Sequence, residues 1–413
     1  MRTIAFSISL LFIFSIPWEG VVDLPGLGTG AKLIGLALAI SWLASVAIRR
    51  GFRKPRPFHL LVCLFVIWNA ASIFWSANPG KTVAHLRTWF QLLGLVVIIW
   101  DLYTTKTALL AGLQAFIFGE YVAVGSAIVN FLSGDPFYSH YQRFSPSEQS
   151  NPDGFGFIVV LGLPVAWYLA SSMSTTKIGN LLKFINYTYI PLGFVGLVLS
   201  GTRTAFIASI IAMAFGLASI TRLRLASRIT IFLLLTLAVF LILPHVQDLR
   251  SFQRFSTTYD ELTQGDLNNR TNNWQQGLVS FTEHPFLGVG SNMYRSVNKL
   301  GKLAHNSYLS VLVELGLVGF ILFGSILAFA GIQALHQPKW EASFWLTQLA
   351  VWAIGASTLT YEHRKATWLF LGLVIVDAAL NQTEKKPLAF AQRGRPQGRF
   401  THQPEMNNVP SGD

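Results

Sequence analysis

Charge is what this sequence has least of. Of 413 residues, 12% are Asp, Glu, Lys or Arg, against about 25% in an ordinary soluble domain. Cysteine is nearly absent as well. The single Cys63 excludes an intramolecular disulfide and any cysteine metal site. There is no DxD pair, no HExxH and no cluster of carboxylates in the stretches expected to face outward. A paired-carboxylate hydrolase therefore lacks its residues. No internal repeat stands out, which disfavours a transporter built from repeated halves.

In place of charge stand long apolar runs. The chain is 52% hydrophobic, and a span needs roughly 20 such residues. The runs predict an all-α polytopic membrane protein with about twelve spans, at 3–18, 31–48, 57–75, 88–102, 107–132, 154–172, 185–200, 203–220, 229–244, 306–331, 343–360 and 365–380. The basic, apolar start MRTIAFSISLLFIF resembles a signal peptide but lacks a small-x-small cleavage site, so it is expected to remain as the first span. A net charge of +12 would suggest nucleic acid in a soluble protein; here it reads as topology, because cytoplasmic loops collect Lys and Arg. The segments RRGFRKPRP (49–57), TRLRLASR (221–228) and the tail after Leu380 are basic, and twelve spans put all three on the side of the N-terminus. Both termini are thus expected on the cytoplasmic side of the membrane. The polar tail 385–413 is expected to be disordered. Two larger loops, about 133–153 and 245–305, then face outward.

The outer face gathers the chemistry. DLRSFQRFSTTYDELT places Leu249, Phe252, Phe255, Tyr259 and Leu262 on one helical face, either lying on the membrane surface or packing within the loop. Arg270 and Trp274 follow, one helical turn apart, and HPFLGVG ends that helix as a Pro/Gly turn. Trp274 suits packing, an interfacial anchor or sugar stacking. Arg203, in LSGTRTAF, sits at the outer junction of two spans. Two readings stand for it: snorkelling to headgroups, or a partnered cation at a site. Arg203, Arg270 and His305 share the outer face.

Together SGTRTAF, NNRTNNW…FTEHPFLGVGSNMY and AHNSYLSVLVELGLVGF resemble the O-antigen ligase and polymerase superfamily of bacterial envelope glycosyltransferases, most closely over about 190–325. The resemblance implies a GT-C-like helical fold with a multi-pass domain over 1–384. It also implies transfer of a glycan from undecaprenyl diphosphate on the periplasmic side of the bacterial inner membrane. The family's functional arginines would fall on Arg203 and Arg270, and its histidine on His305. The chemistry agrees. Arginine binds phosphate oxygens in bidentate fashion and is always charged. Charge grows on the diphosphate as the glycosidic bond breaks, and fixed cations stabilise it. A histidine can accept the proton of the attacking hydroxyl. Back-side attack would invert the anomeric centre, with neither metal nor cofactor required. The leading expectation is an O-antigen ligase acting on lipid A–core. An O-antigen or exopolysaccharide repeat polymerase is the alternative, and a lipid-glycan flippase the reading from another class. The partners expected are the lipid-linked donor, a saccharide acceptor and membrane lipids, without nucleic acid.

Accessory candidates remain. Arg143 precedes Asn151-Pro152-Asp153, with Asp153 as a possible N-cap; Arg143 either belongs to that turn or touches phosphate. Arg143–Gly154 and Arg254–Gly265 also fit an Arg-x10-Gly pattern found in some polymerases of the superfamily. Asn306 would fix His305 in place. Glu314, a carboxylate within a span, is a functional candidate by default, or caps a neighbouring helix. Glu120 and Asp377 lie within spans without an evident partner.

Overall fold

The structure is a computed structural model, and it describes residues 1–24, 28–220, 225–256, 258 and 270–393. Apolar runs form the helices α1 (Arg2–Ser15), α2 (Gly30–Arg49), α3 (Pro57–Ala71), α4 (Pro79–Leu102), α5 (Lys106–Leu132), α6 (Pro152–Ser172), α7 (Lys177–Ser200), α8 (Arg203–Ile220) and α9 (Leu225–Val246). The segment after α9 contains α10 (Arg250–Ser256), α11 (Arg270–Glu283) and the single turn α12 (Tyr294–Val297). Three long helices close the chain: α13 (Ser307–Leu335), α14 (Lys339–Ala356) and α15 (Lys365–Arg393). A two-strand antiparallel ribbon, Asp23–Leu24 with Gly28–Thr29, is the only sheet among the described residues.

Each expected span has a helix, but nine of the helices among the described residues are long and apolar enough to cross a membrane, not twelve. Two of the other three fall short for physical reasons, and part of α9 lies outside the residues whose side chains are described. Helix α1 has 14 residues, and a crossing takes roughly 20. Helix α14 carries Lys339, Glu341 and Gln348 within 18 residues. In α9 the described apolar stretch is Arg228–Leu237. Helices α4 and α7 begin well before their apolar windows, because caps extend them. Asn78 accepts a bond from the Lys81 N–H at 3.1 Å, and Thr176 from the Gly179 N–H at 3.1 Å. The last helix continues to Arg393, past the expected start of the tail; 394–413 lie outside the described residues.

Helix α6 is the hub. Its run GFIVVLGLPVAWYLA is apolar on every side, the mark of a helix buried all round, and Phe155 to Ala170 are buried without a break. It packs against α5, α7, α8 and α14. Lipid gives helices little hydrophobic reason to associate, so close contact at small residues does that work. Aromatic rings accordingly lie on glycines: Phe157 on Gly355, Trp167 on Gly216 and Tyr189 on Gly162. Tyr168 stacks on Phe344 at 4.1 Å between centroids. Asp377 does have partners, the Lys106 Nζ at 2.7 Å and the Trp345 Nε1 at 2.8 Å. Glu120 is buried beside Tyr189, and neither of its oxygens has a hydrogen-bond partner among the described residues.

Candidate active site

The site is built on a broken helix. In α13, Gly316 has φ 64° and ψ −168°, a conformation closed to side chains with a Cβ. A break frees backbone groups that lipid cannot satisfy, and five of them find partners outside the helix. The carbonyls of Val313 and Glu314 accept bonds from the N–H groups of Val289 and Gly290, at 3.0 and 2.8 Å. The Leu315 carbonyl accepts from the Trp68 indole at 2.9 Å. Beyond the break, Leu317 and Val318 donate to the carbonyls of Pro285 and Phe286. HPFLGVG is therefore a strand-like splint along the break. Gly288 and Gly290 have φ 71° and 105°, and a Cβ at Gly288 would strike the Glu314 carbonyl. The Glu314 carboxylate accepts the N–H groups of Asn292 at 2.7 Å and Tyr294 at 3.1 Å. It holds the loop.

The same loop region presents His305. The Asn306 Oδ1 caps α13, accepting the N–H groups of Tyr308 and Leu309 at 3.0 Å each. The residue before the cap, His305, is forced to φ 48°, a cost tolerated where surrounding bonds over-determine the backbone. Those bonds are present. The His305 N–H donates to Thr360 Oγ1 at 3.0 Å. Ser307 Oγ donates to the Leu359 carbonyl and accepts the Tyr361 N–H, both at 2.8 Å. The Trp274 indole and the Asn273 amide donate to the carbonyls of Ala304 and Leu303, both at 2.7 Å. The ring itself makes no hydrogen bond among the described residues. Burial, then the charge of Arg270, hold its pKa below the ordinary value, and Asp153 opposes them.

Arginines gather beside it. A cavity of about 300 Å³ is lined by Arg203, Arg254, Arg270, Asp153 and Trp274, with Thr358 across from them. Arg203 Nε donates to the Arg254 carbonyl at 3.1 Å, and Arg254 Nε to the Gly201 carbonyl at 3.2 Å. The two guanidiniums are thereby fixed to one turn of backbone, between the αL residue Gly201 and α10. Phe255 stacks on Phe206 at 4.8 Å, so α10 packs against α8 as a docked helix; Tyr259 and Leu262 of the expected apolar face lie outside the described residues.

Arg143 has another place. It is 4% exposed and binds the Ser200 carbonyl at 2.6 Å, Thr202 Oγ1 at 3.0 Å and Asp153 Oδ1 at 2.5 Å. It ties the first outer loop to the α7–α8 junction and turns Asp153 toward the cavity. The N-cap of α6 is Asn151, accepting the Asp153 N–H at 2.8 Å, rather than Asp153.

Of the residues singled out in the sequence, the structure brings Arg203, Arg270 and Trp274 to one cavity, with His305 within electrostatic reach of Arg270. Asn306 is a cap. Arg143 and Glu314 are committed to protein groups. Sequence reasoning did not place Asp153 or Arg254 in the site, nor the connection 357–365 that backs both the cavity and His305. The Arg-x10-Gly spacing pointed at Arg254; Gly265 lies outside the described residues. Among those residues no three His, Cys, Asp or Glu side chains stand close enough to hold a metal ion.

Comparison with known proteins gives two findings. Residues 189–324 match the O-antigen ligase family. The chain is also 27% identical over 310 residues to the exopolysaccharide production protein ExoQ of Rhizobium meliloti, an alignment covering 66% of this chain and 64% of that protein. The matched family segment contains Arg203, Arg270 and His305 together with the broken helix.

Proposed function

From its kinship with the O-antigen ligase and polymerase superfamily, we propose that this chain is a membrane glycosyltransferase moving a polyprenyl-diphosphate-linked saccharide to a sugar hydroxyl. The observation that carries the reading is three arginines around one cavity beside a histidine whose ring is uncommitted. His305 takes the proton of the acceptor hydroxyl. The oxygen attacks the anomeric carbon from behind, the bond to phosphate breaks, and the configuration inverts. The leaving diphosphate takes the electron pair and is stabilised by Arg203, Arg254 and Arg270. Asp153 offsets the charge of Arg270 and eases the arrival of a proton on His305. The reaction face is the periplasmic side of the bacterial inner membrane, following the basic loops.

The kind of acceptor is read from the comparisons. Similarity to an exopolysaccharide production protein favours polymerisation of repeats. Ligation to lipid A–core is the second reading, favoured by the family description. One assay tests the shared chemistry: purified protein, lipid-linked oligosaccharide and acceptor, with EDTA present. Product is expected from the wild type and not from His305→Ala. Undiminished transfer by that variant would sink the mechanism. In a deletion strain, loss of secreted polymer with an intact lipopolysaccharide ladder marks the polymerase; bare core marks the ligase.

A further inference from the structure

A second cavity, of about 650 Å³, lies between α1, α2 and α4. Its walls are apolar, formed by Phe12, Leu38, Leu92, Leu95 and Ile98, and Gly35, Ala39 and Gly94 leave the slot open. Its rim carries Lys32, Arg87 and Arg364. None of these three side chains makes a hydrogen bond or ion pair among the described residues. The acid at the rim, Glu19, is bound by Lys365, and His363 leans on Glu362 at 3.5 Å. Arg87 is exposed and stands just before the apolar part of α4, where an arginine without a counter-charge suits an anionic headgroup. Next to the slot, a polar cavity of about 240 Å³ shares Arg364 and Lys365, is lined by Gln149, Ser150 and Asn151, and reaches Gly154. The neighbouring residue, Asp153, lines the arginine cavity. Apolar slot, cationic rim, amides and hydroxyls, and catalytic cavity thus follow one another.

We propose that the slot holds the lipid of the acceptor, a polyprenyl-diphosphate-linked saccharide. Its chain lies between α2 and α4 and its diphosphate meets Arg87, Arg364 and Lys32. Its sugars run through the polar cavity to His305. This rests on the transferase reading. The neighbouring cavity, with its amides and hydroxyls, suits a saccharide, which a glycerophospholipid lacks.

The test uses the full chain in nanodiscs with a diazirine-bearing polyprenyl diphosphate. Label is expected on peptides of α1, α2 and α4, displaced by undecaprenyl diphosphate and not by equal phosphatidylglycerol. Gly94→Trp and Arg87→Glu should each cut it about tenfold, while Arg203→Ala and Arg270→Ala keep it. Gly94→Ala, whose added carbon meets nothing within 4 Å, is the folding control. In turnover, Gly94→Trp should raise KM about tenfold for a lipid-linked acceptor and leave it unchanged for a lipid-free oligosaccharide. Label confined to the arginine cavity, equal displacement by phosphatidylglycerol, or equal KM effects on both acceptors would each overturn the proposal. Failure of the transferase reading shows separately, as absence of product from every acceptor with the wild type.

Discussion

In the proposed mechanism His305 is the residue on which the chemistry turns. Its replacement by Ala should lower transfer by roughly 10²–10⁴-fold, the range for a lost general base. Burial and Arg270 hold its pKa down, so the neutral base persists below the ordinary value of about 6.5. Activity should therefore be flat at neutrality and fall on acidification only below that value. Arg270→Gln should lower the rate about 10²-fold and move the acid limb of the remaining activity upward. A pH–rate profile of both proteins reads the shift; an unmoved limb would show that Arg270 does not act on the base. Arg203 alone had the bland reading of a cation snorkelling to headgroups; its company with Arg270 on the outer face is what singled out these two arginines of the cavity. Arg143 and Arg203 looked alike on that ground, yet one is fixed to buried protein oxygens and the other lines a cavity. Only the fold separates them. Asp153 was hidden by its place in an ordinary helix-starting turn.

At the scale of the element, the informative part is the break in α13. Gly316→Ala would add a carbon into the Phe286 carbonyl at a φ/ψ that only glycine adopts freely. It should cost about 3 kcal/mol or more, seen as a lower Tm in detergent by intrinsic tryptophan fluorescence. Glu314→Gln keeps the shape but turns an amide NH2 toward a backbone N–H; a loss of about 1–3 kcal/mol is expected. Unchanged melting in both would remove the splint as a source of stability. Hydropathy found the span around Glu314 without difficulty and read it as continuous. A single glycine in an apolar run carries no signal of a break. The partners that satisfy the freed carbonyls lie about 25 residues upstream, and Trp68 farther still. For the same reason the carboxylate had no evident role until the loop it holds was placed.

Over the whole molecule, sequence and structure agree on a helical, multi-pass membrane protein, and among the described residues nine of the twelve expected spans are long and apolar enough to cross. The apolar windows located twelve helices well. They could not show that α1 stops at 14 residues or that α14 buries Gln348 inside the bundle, since both depend on neighbours. Orientation can be read directly. With Cys63→Ser as background, Glu148→Cys should react with an impermeant maleimide in intact cells, and Lys54→Cys only after lysis. Both positions are exposed. The reverse pattern would put the arginine cavity in the cytoplasm and overturn the topology.

The splint also sets what can be exchanged between relatives. Residues 285–290 are hydrogen-bonded to the two sides of the break at 313–318, so loop and span are one part although hydropathy divides them. A chimera that swaps only the outer loop should misassemble, leaving foreign amides against native carbonyls. One that carries 284–318 as a single graft should fold and bring its donor's specificity with it.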